Sequence, residues 1–161
     1  MDQASRDMDK LMNKLADWLL YNHEAIKAAL IEDARDNGVK AVAFGDVVAE
    51  TRSERDLISQ FISVIDTRKQ LIDAVQHVIH MLDFDRWDMY VARYCEHMTN
   101  EMIIEERKGL HIYRDSLTET FNDIRGKLWD ELTVKEFSFE DVIELRRKYP
   151  GIPGKKRPSR G

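Results

Sequence analysis
Along residues 51–83 the positions Leu57, Phe61, Val64, Arg68, Leu71, Val75, Val78 and Leu82 recur alternately four and three residues apart. That is a heptad seam, and Ile58, Ile62, Ile65, Ile72 and Ile79 widen it beyond a two-stranded stripe. The pattern predicts a long central helix, opened by Thr51-Arg-Ser-Glu with the spacing of a capping box. Two uses are open to it. The first helix can cover it in a bundle, or two copies of the chain can form a homodimer through Leu57, Phe61, Val64, Leu71, Val75 and Val78, with the polar Arg68 setting register.

Upstream, Met8, Leu11, Met12, Leu15, Trp18, Leu19, Ile26 and Leu30 recur at threes and fours, which predicts an amphipathic helix from Asp7 to about Ile31. Ser5 suits its N-cap and Asn37-Gly38 its stop, so residues 34–50 read as a connector and residues 1–50 as helix plus connector.

Downstream, residues 84–148 read as shorter helices. Asp85 is placed to cap a helix over Arg86–His97, with Trp87, Tyr90, Val91 and Tyr94 on one apolar face. Thr99 caps a short helix holding Met102 and Ile103, and Lys108-Gly109 breaks it. Tyr113 or Asp115 opens a further helix with Leu117, Phe121, Ile124, Leu128 and Leu132 facing inward. Ser138 caps a last piece whose inner side carries Phe139, Val142, Ile143 and Leu145. The expected fold is therefore all-α: a helical bundle with a long central helix and a C-terminal three-helix unit of helix-turn-helix type. Residues 149–161 form a basic tail, too polar and broken to pack.

Composition agrees with this picture. Only 7 Gly and 3 Pro occur in 161 residues, and all three Pro fall in the tail. No apolar run reaches the roughly 18 residues of a membrane span. The acidic start MDQASRDMDK does not suit a signal peptide. With the single Cys95, this points to a cytoplasmic protein with no membrane partner. Charge is uneven: the net value is −5, but residues 145–161 carry +7 with no acid, which leaves −12 on the rest.

Candidate chemistry is sparse. His77 and His80 lie three apart, and His97, Glu101 and Glu105 four apart, yet neither set makes the paired ExxH pattern of a di-iron bundle or has the cysteines of a zinc site. Cys95 and His97 are two apart on a helix and do not face each other. Glu105-Glu106 has no second acidic cluster to match it, and no phosphate loop or nucleophile motif occurs. No metal, cofactor or catalytic residue is expected, and the chain does not read as an enzyme.

With Leu117, Phe121, Ile124 and Leu128 turned in, the outer side of the last helix of the unit holds Arg114, Thr118, Asn122 and Arg125, residue types that contact base edges or phosphates. Lys155, Lys156 and Arg157 of the tail add sequence-independent attraction to a duplex.

The runs ETRSERDLISQF, LIDAVQHVIHMLD, YVARYCEHMTNEMIIEE and YRDSLTETFNDIRGKL resemble the ArpU/RinA-type phage late transcriptional regulators, over about residues 50–131. The C-terminal part of that family is similar to the promoter-reading domain of sigma factors. Tyr94 falls at an aromatic position of the family, Thr99 at the cap of its short helix, and Arg114 to Leu117 where its recognition helix opens. The joint KGLHIYRDS is longer than the family's. The resemblance implies a DNA-binding regulator of late phage genes in a bacterial host, acting as a dimer or beside RNA polymerase.

The span Tyr113–Leu132 nevertheless sums to −2, from Asp115, Glu119, Asp123, Asp130 and Glu131 against Arg114, Arg125 and Lys127. The alternative is therefore an acidic helical module, an adaptor or inhibitor that binds a host protein and not DNA.

Overall fold
In the computed structural model, residues 2–45, 52–107 and 114–150 are described, with side chains over 2–36, 59–107 and 116–150. The chain is all-α. Helix α1 spans Gln3–Gly45, α2 Arg52–His80, α3 Phe84–Tyr90, α4 Asn100–Glu106, α5 Arg114–Val134 and α6 Phe139–Lys148, with a π-helical turn at Val91–Cys95 between α3 and α4. Among the described residues there is no strand, and no helix is long and apolar enough to cross a membrane.

Helices α1 and α2 form an antiparallel hairpin. Lys27 Nζ on α1 reaches both Asp73 Oδ1 and Gln76 Oε1 on α2 at 3.1 Å. The seam between them is apolar: Leu15, Leu19, Leu20, Ile26 and Leu30 of α1 join Leu71, Ile72, Val75, Val78 and Ile79 of α2 in one core. Helix α5 closes that core with Leu117, Phe121, Ile124, Leu128 and Leu132, each at most 1% exposed. These are the five positions its spacing places on one face.

The first helix is longer than its pattern predicts. Asn37-Gly38 does not stop it, and it runs on through Gly45 into the expected connector. A glycine inside a helix costs about 1 kcal/mol relative to alanine, too little by itself to end a helix. The N-cap is also earlier than Ser5: the Asp2 carboxylate accepts the Ser5 N–H at 2.8 Å, and that bond holds the carboxyl below its ordinary range. Thr51, the expected cap of the central helix, and the Lys108-Gly109 break lie outside the described residues.

The heptad seam is divided. Leu71, Val75 and Val78 are buried inside the chain against α1 and α5, so they are withdrawn from the expected dimer surface. Phe61 and Val64 lie on the part of the stripe that is not buried, and the side chain of Leu57 lies outside the described residues.

Helix α6 begins with a reciprocal capping box: Ser138 Oγ accepts from Asp141 N–H at 3.2 Å, and Asp141 Oδ2 accepts from Ser138 N–H at 2.7 Å. Val142 and Leu145 are buried, while Phe139 and Ile143 pack at the core's edge. Arg146, Arg147 and Lys148 occupy the last turn, where the helix dipole favours cations. Just beyond, the Tyr149 hydroxyl donates to Asp33 Oδ2 at 2.8 Å and fastens the end of α6 to α1.

Leu128 lies where α5 meets the hairpin and is fully buried. Leu128→Ala is expected to destabilise the chain by about 2–5 kcal/mol through lost transfer energy and the cavity left behind. A urea melt should show a lower midpoint at unchanged slope; a loss below about 0.5 kcal/mol would mean that α5 is not packed as described.

Candidate nucleic-acid interface
The three-helix unit is built from α3 with its π turn, α4 and α5. Its first helix opens at Asp83, not at Asp85. The Asp83 carboxylate accepts the Arg86 N–H at 2.9 Å, and that bond and the Arg86 charge hold the carboxyl low. The helix therefore starts two residues earlier than expected, and Trp87, expected on the inner face, is 41% exposed.

The helix does not continue regularly to His97. Over Val91–Cys95 it widens into a π turn, with Glu96 N–H donating to the Val91 carbonyl at 2.9 Å. His97 then takes a left-handed conformation at φ 57°, and the chain reverses into Thr99. The Thr99 hydroxyl accepts the Met102 N–H at 3.2 Å, which is the expected cap of the short helix. Ile103 is the buried residue of that helix, and Met102 faces out.

Tyr94 is the centre of the unit. It is almost wholly buried, with its ring 5.7 Å from that of Tyr90, 4.7 Å from Tyr21 and 6.1 Å from Phe121. Its hydroxyl donates to Asp17 Oδ1 on α1 at 2.5 Å. The same carboxylate receives Arg125 Nε at 2.8 Å and Nη2 at 3.1 Å. Burial, together with the Asp17 charge, pushes ionisation of Tyr94 well above the ordinary phenol range. Tyr90 is raised too, by burial and then by Cys95.

Three further arginines hold the unit together. Arg107 at the end of α4 grips Asp88 of α3 with Nε and Nη2 at 2.8 and 2.9 Å, and these bonds hold the Asp88 carboxyl low. Arg86 bonds to Asp123 of α5 as well as to Asp83. The Arg93 guanidinium sits 3.7 Å from the centre of the Phe121 ring and donates to Asn100 Oδ1 at 2.7 Å.

The expected DNA-contacting residues divide as follows. Thr118 and Asn122 are exposed on α5, as the pattern predicts. Arg114 opens α5, and its side chain, with Lys155, Lys156 and Arg157, lies outside the described residues. Arg125 is a correction. Its side chain is only 15% exposed and is turned from the outer face to Asp17, with Nη1 donating to Asn122 Oδ1 at 3.0 Å. A long arginine at the edge of a helix can reach an acid on a neighbouring helix, and here the half-buried Asp17 carboxylate of α1 lies within that reach.

The acidic character of α5 is also reduced locally, because Asp123 is paired with Arg86. From Ser116 to Lys127 its exposed residues are Ser116, Thr118, Glu119, Asn122, Gly126 and Lys127, with one charge of each sign. A Cβ placed on Gly126 would meet nothing within 4 Å, so this side of the helix is bare.

Sequence reasoning missed Asp17 altogether, along with a cluster behind the unit. His23 Nε2 lies 2.8 Å from the Tyr90 hydroxyl and Nδ1 3.1 Å from Gln76 Nε2, beside a cavity of about 170 Å³ lined by Tyr21, Asn22, Tyr94 and Cys95 among others. That is well under the roughly 300 Å³ at which ligand pockets begin. The only sequence signal was a polar Asn22-His23 pair interrupting an apolar stripe.

The buried phenols set a pH dependence. Burial and the bond to Asp33 raise Tyr149 from 10.0 to about 12, so between these values the unfolded chain has lost a proton that the folded chain keeps. Stability should therefore be level up to about pH 9 and fall as pH rises through 10 towards 12, and Tyr149→Phe should flatten part of that fall. Urea midpoints against pH, with phenolate absorbance followed in parallel, check this. Full phenolate absorbance before any loss of helix would show that Tyr90, Tyr94 and Tyr149 are not buried as described.

No family model matches the chain, and no curated protein or solved structure matches it either.

Proposed function
We propose that the chain is a DNA-binding transcriptional regulator of the phage late-gene kind. It lays the N-terminal half of α5 against the duplex and draws its phosphate contacts from Arg114 and the basic segment around Lys155, Lys156 and Arg157. The observation that carries this reading is the order and packing of the unit. A short α4 is followed, across residues 107–113, by the longer α5, and both pack with α3 around Tyr94, Ile103, Leu117 and Phe121, leaving Thr118 and Asn122 outward. Gly126, one turn on from Asn122, supports it. A helix keeps a glycine at a cost of about 1 kcal/mol where another backbone must come close.

The division of labour follows from charge. With Arg125 held by Asp17 and Arg86 by Asp123, α5 has few free cations among its described residues. Neutral Thr118 and Asn122 then carry base contacts, and the tail carries the salt-dependent attraction.

Selection from random DNA followed by binding at several salt concentrations tests the two roles separately. Replacing Lys155, Lys156 and Arg157 by Ala should weaken binding to every sequence and lower the salt slope by about one for each phosphate no longer neutralised. Thr118→Ala with Asn122→Ala should leave that slope unchanged and cost about 1–3 kcal/mol of discrimination per base contact. Absence of binding at low salt, or binding that disappears only with the tail and is indifferent to Thr118 and Asn122, would overturn groove reading by α5.

A second reading, a module that works on a host protein such as RNA polymerase, is favoured by one observation. Met81, Phe84 and Trp87 are exposed close together across the α2–α3 joint, Phe84 at 80%. Under that reading Phe84→Ser with Trp87→Ser abolishes binding to purified polymerase and leaves DNA binding intact.

A further inference from the structure
The π turn brings a thiol to the small cavity beside α1. In an α-helix the fifth residue on is turned about 140° away from the first. The i+5 bonding of Val91–Cys95 cancels that rotation, so Cys95 comes back beside Tyr90 and bonds to its hydroxyl. Cys95 is half-buried and lines the cavity of about 170 Å³ together with Tyr94 and, from α1, Asn22.

The hydrogen bonds that lead to the sulfur all run in one direction. Lys27 Nζ donates to Gln76 Oε1 at 3.1 Å, which leaves Gln76 Nε2 to donate to His23 Nδ1 at 3.1 Å. The His23 ring is therefore neutral with its proton on Nε2, and it donates to the Tyr90 oxygen at 2.8 Å. That leaves the Tyr90 O–H to donate to Cys95 Sγ. The cavity also holds an acceptor that lacks a donor. Asn22 is 6% exposed and turns Nδ2 back to the Trp18 carbonyl at 2.9 Å, while Oδ1, the other end of the amide, is buried without a partner. A buried acceptor in that position calls for a donor on a molecule in the cavity.

We infer that Cys95 is a site of oxidation by hydrogen peroxide taken into this cavity, with Asn22 Oδ1 accepting a peroxide O–H and Tyr90 donating to the sulfur. Hydrogen peroxide is small enough for the space and carries the donor that Asn22 lacks. The thiolate sulfur attacks the nearer peroxide oxygen, and the S–O bond forms as the O–O bond breaks. Sulfur loses two electrons to the peroxide. The far oxygen leaves as hydroxide, takes up the proton that the thiol released, and departs as water. Burial keeps the Tyr90 hydroxyl protonated, so it remains a donor to the sulfur throughout. The chain has a single cysteine and no internal thiol to close a disulfide, so the product is a sulfenic acid that an external thiol reduces. The inference does not depend on the DNA-binding reading.

The full-length chain is treated with hydrogen peroxide, the sulfenic acid is trapped with dimedone and located by mass spectrometry, and alkylation by iodoacetamide is timed in parallel. Cys95 should react with peroxide about tenfold faster than free cysteine at the same pH, the effect of one hydrogen bond to a charged group. Asn22→Ala should slow the peroxide reaction about three- to tenfold and leave alkylation unchanged, because only peroxide uses that acceptor. Tyr90→Phe should slow both reactions, since its hydroxyl serves the sulfur itself. Should Tyr90→Phe lose helix by circular dichroism, Asn22→Ala decides alone through its two rates, because the only bond that Asn22 gives up is to its own helix. Peroxide oxidation no faster than that of free cysteine, an Asn22→Ala variant in which oxidation is unchanged or falls only in step with alkylation, or absence of the dimedone adduct from Cys95 would overturn the inference.

Discussion

The Asp17 carboxylate is the constraint on which the arrangement of the C-terminal helices depends. It accepts from Tyr94 on the π turn and from both Arg125 nitrogens on α5, and so joins three separate elements at one point of α1. Tyr94 is among the largest fully buried side chains, and a buried hydroxyl without an acceptor costs about 1–3 kcal/mol. Asp17 satisfies that hydroxyl, while the Arg125 charge compensates the partly desolvated carboxylate. Each of the three groups would be costly where it stands without the others, so α5 and the π turn are held at a definite position against the hairpin.

The same pairing decides what the outer surface of the unit can do. Arg86, Arg93, Arg107 and Arg125 are all turned onto acids, an amide or a ring. They bind helix to helix and are not presented to a partner. Rigidity is gained in a small unit whose short α4 buries little apolar surface of its own. The consequence is that the exposed residues of α5 from Ser116 to Lys127 are mostly neutral, with one charge of each sign.

Much of this was legible in the sequence. The inward positions of α5, the caps Thr99 and Ser138, the exposure of Thr118 and Asn122, and the all-α class follow from local periodicity and local hydrogen bonding. Local signals failed where two caps or two fates competed. Asp83 and Asp85 are both good caps, and the earlier one takes the role, accepting the Arg86 N–H, while the Arg86 guanidinium pairs with Asp123 on α5. Asn37-Gly38 reads as a stop, but the helix runs on past it as the first arm of the hairpin. The heptad stripe gave no sign of how much of it the chain's own core would bury.

Sequence by itself determined the all-α class and which face of most helices is apolar, because a period of three to four residues is a property of the local chain. Only the tertiary structure decided how the charged and half-buried groups are used. Arg125 and Asp17 are 108 positions apart, and no local pattern marks an arginine at a helix edge as bound inward and not exposed. The reach of a long side chain, and the need of a half-buried acid and a buried phenol for partners, are settled by which helices lie beside one another once the core has formed.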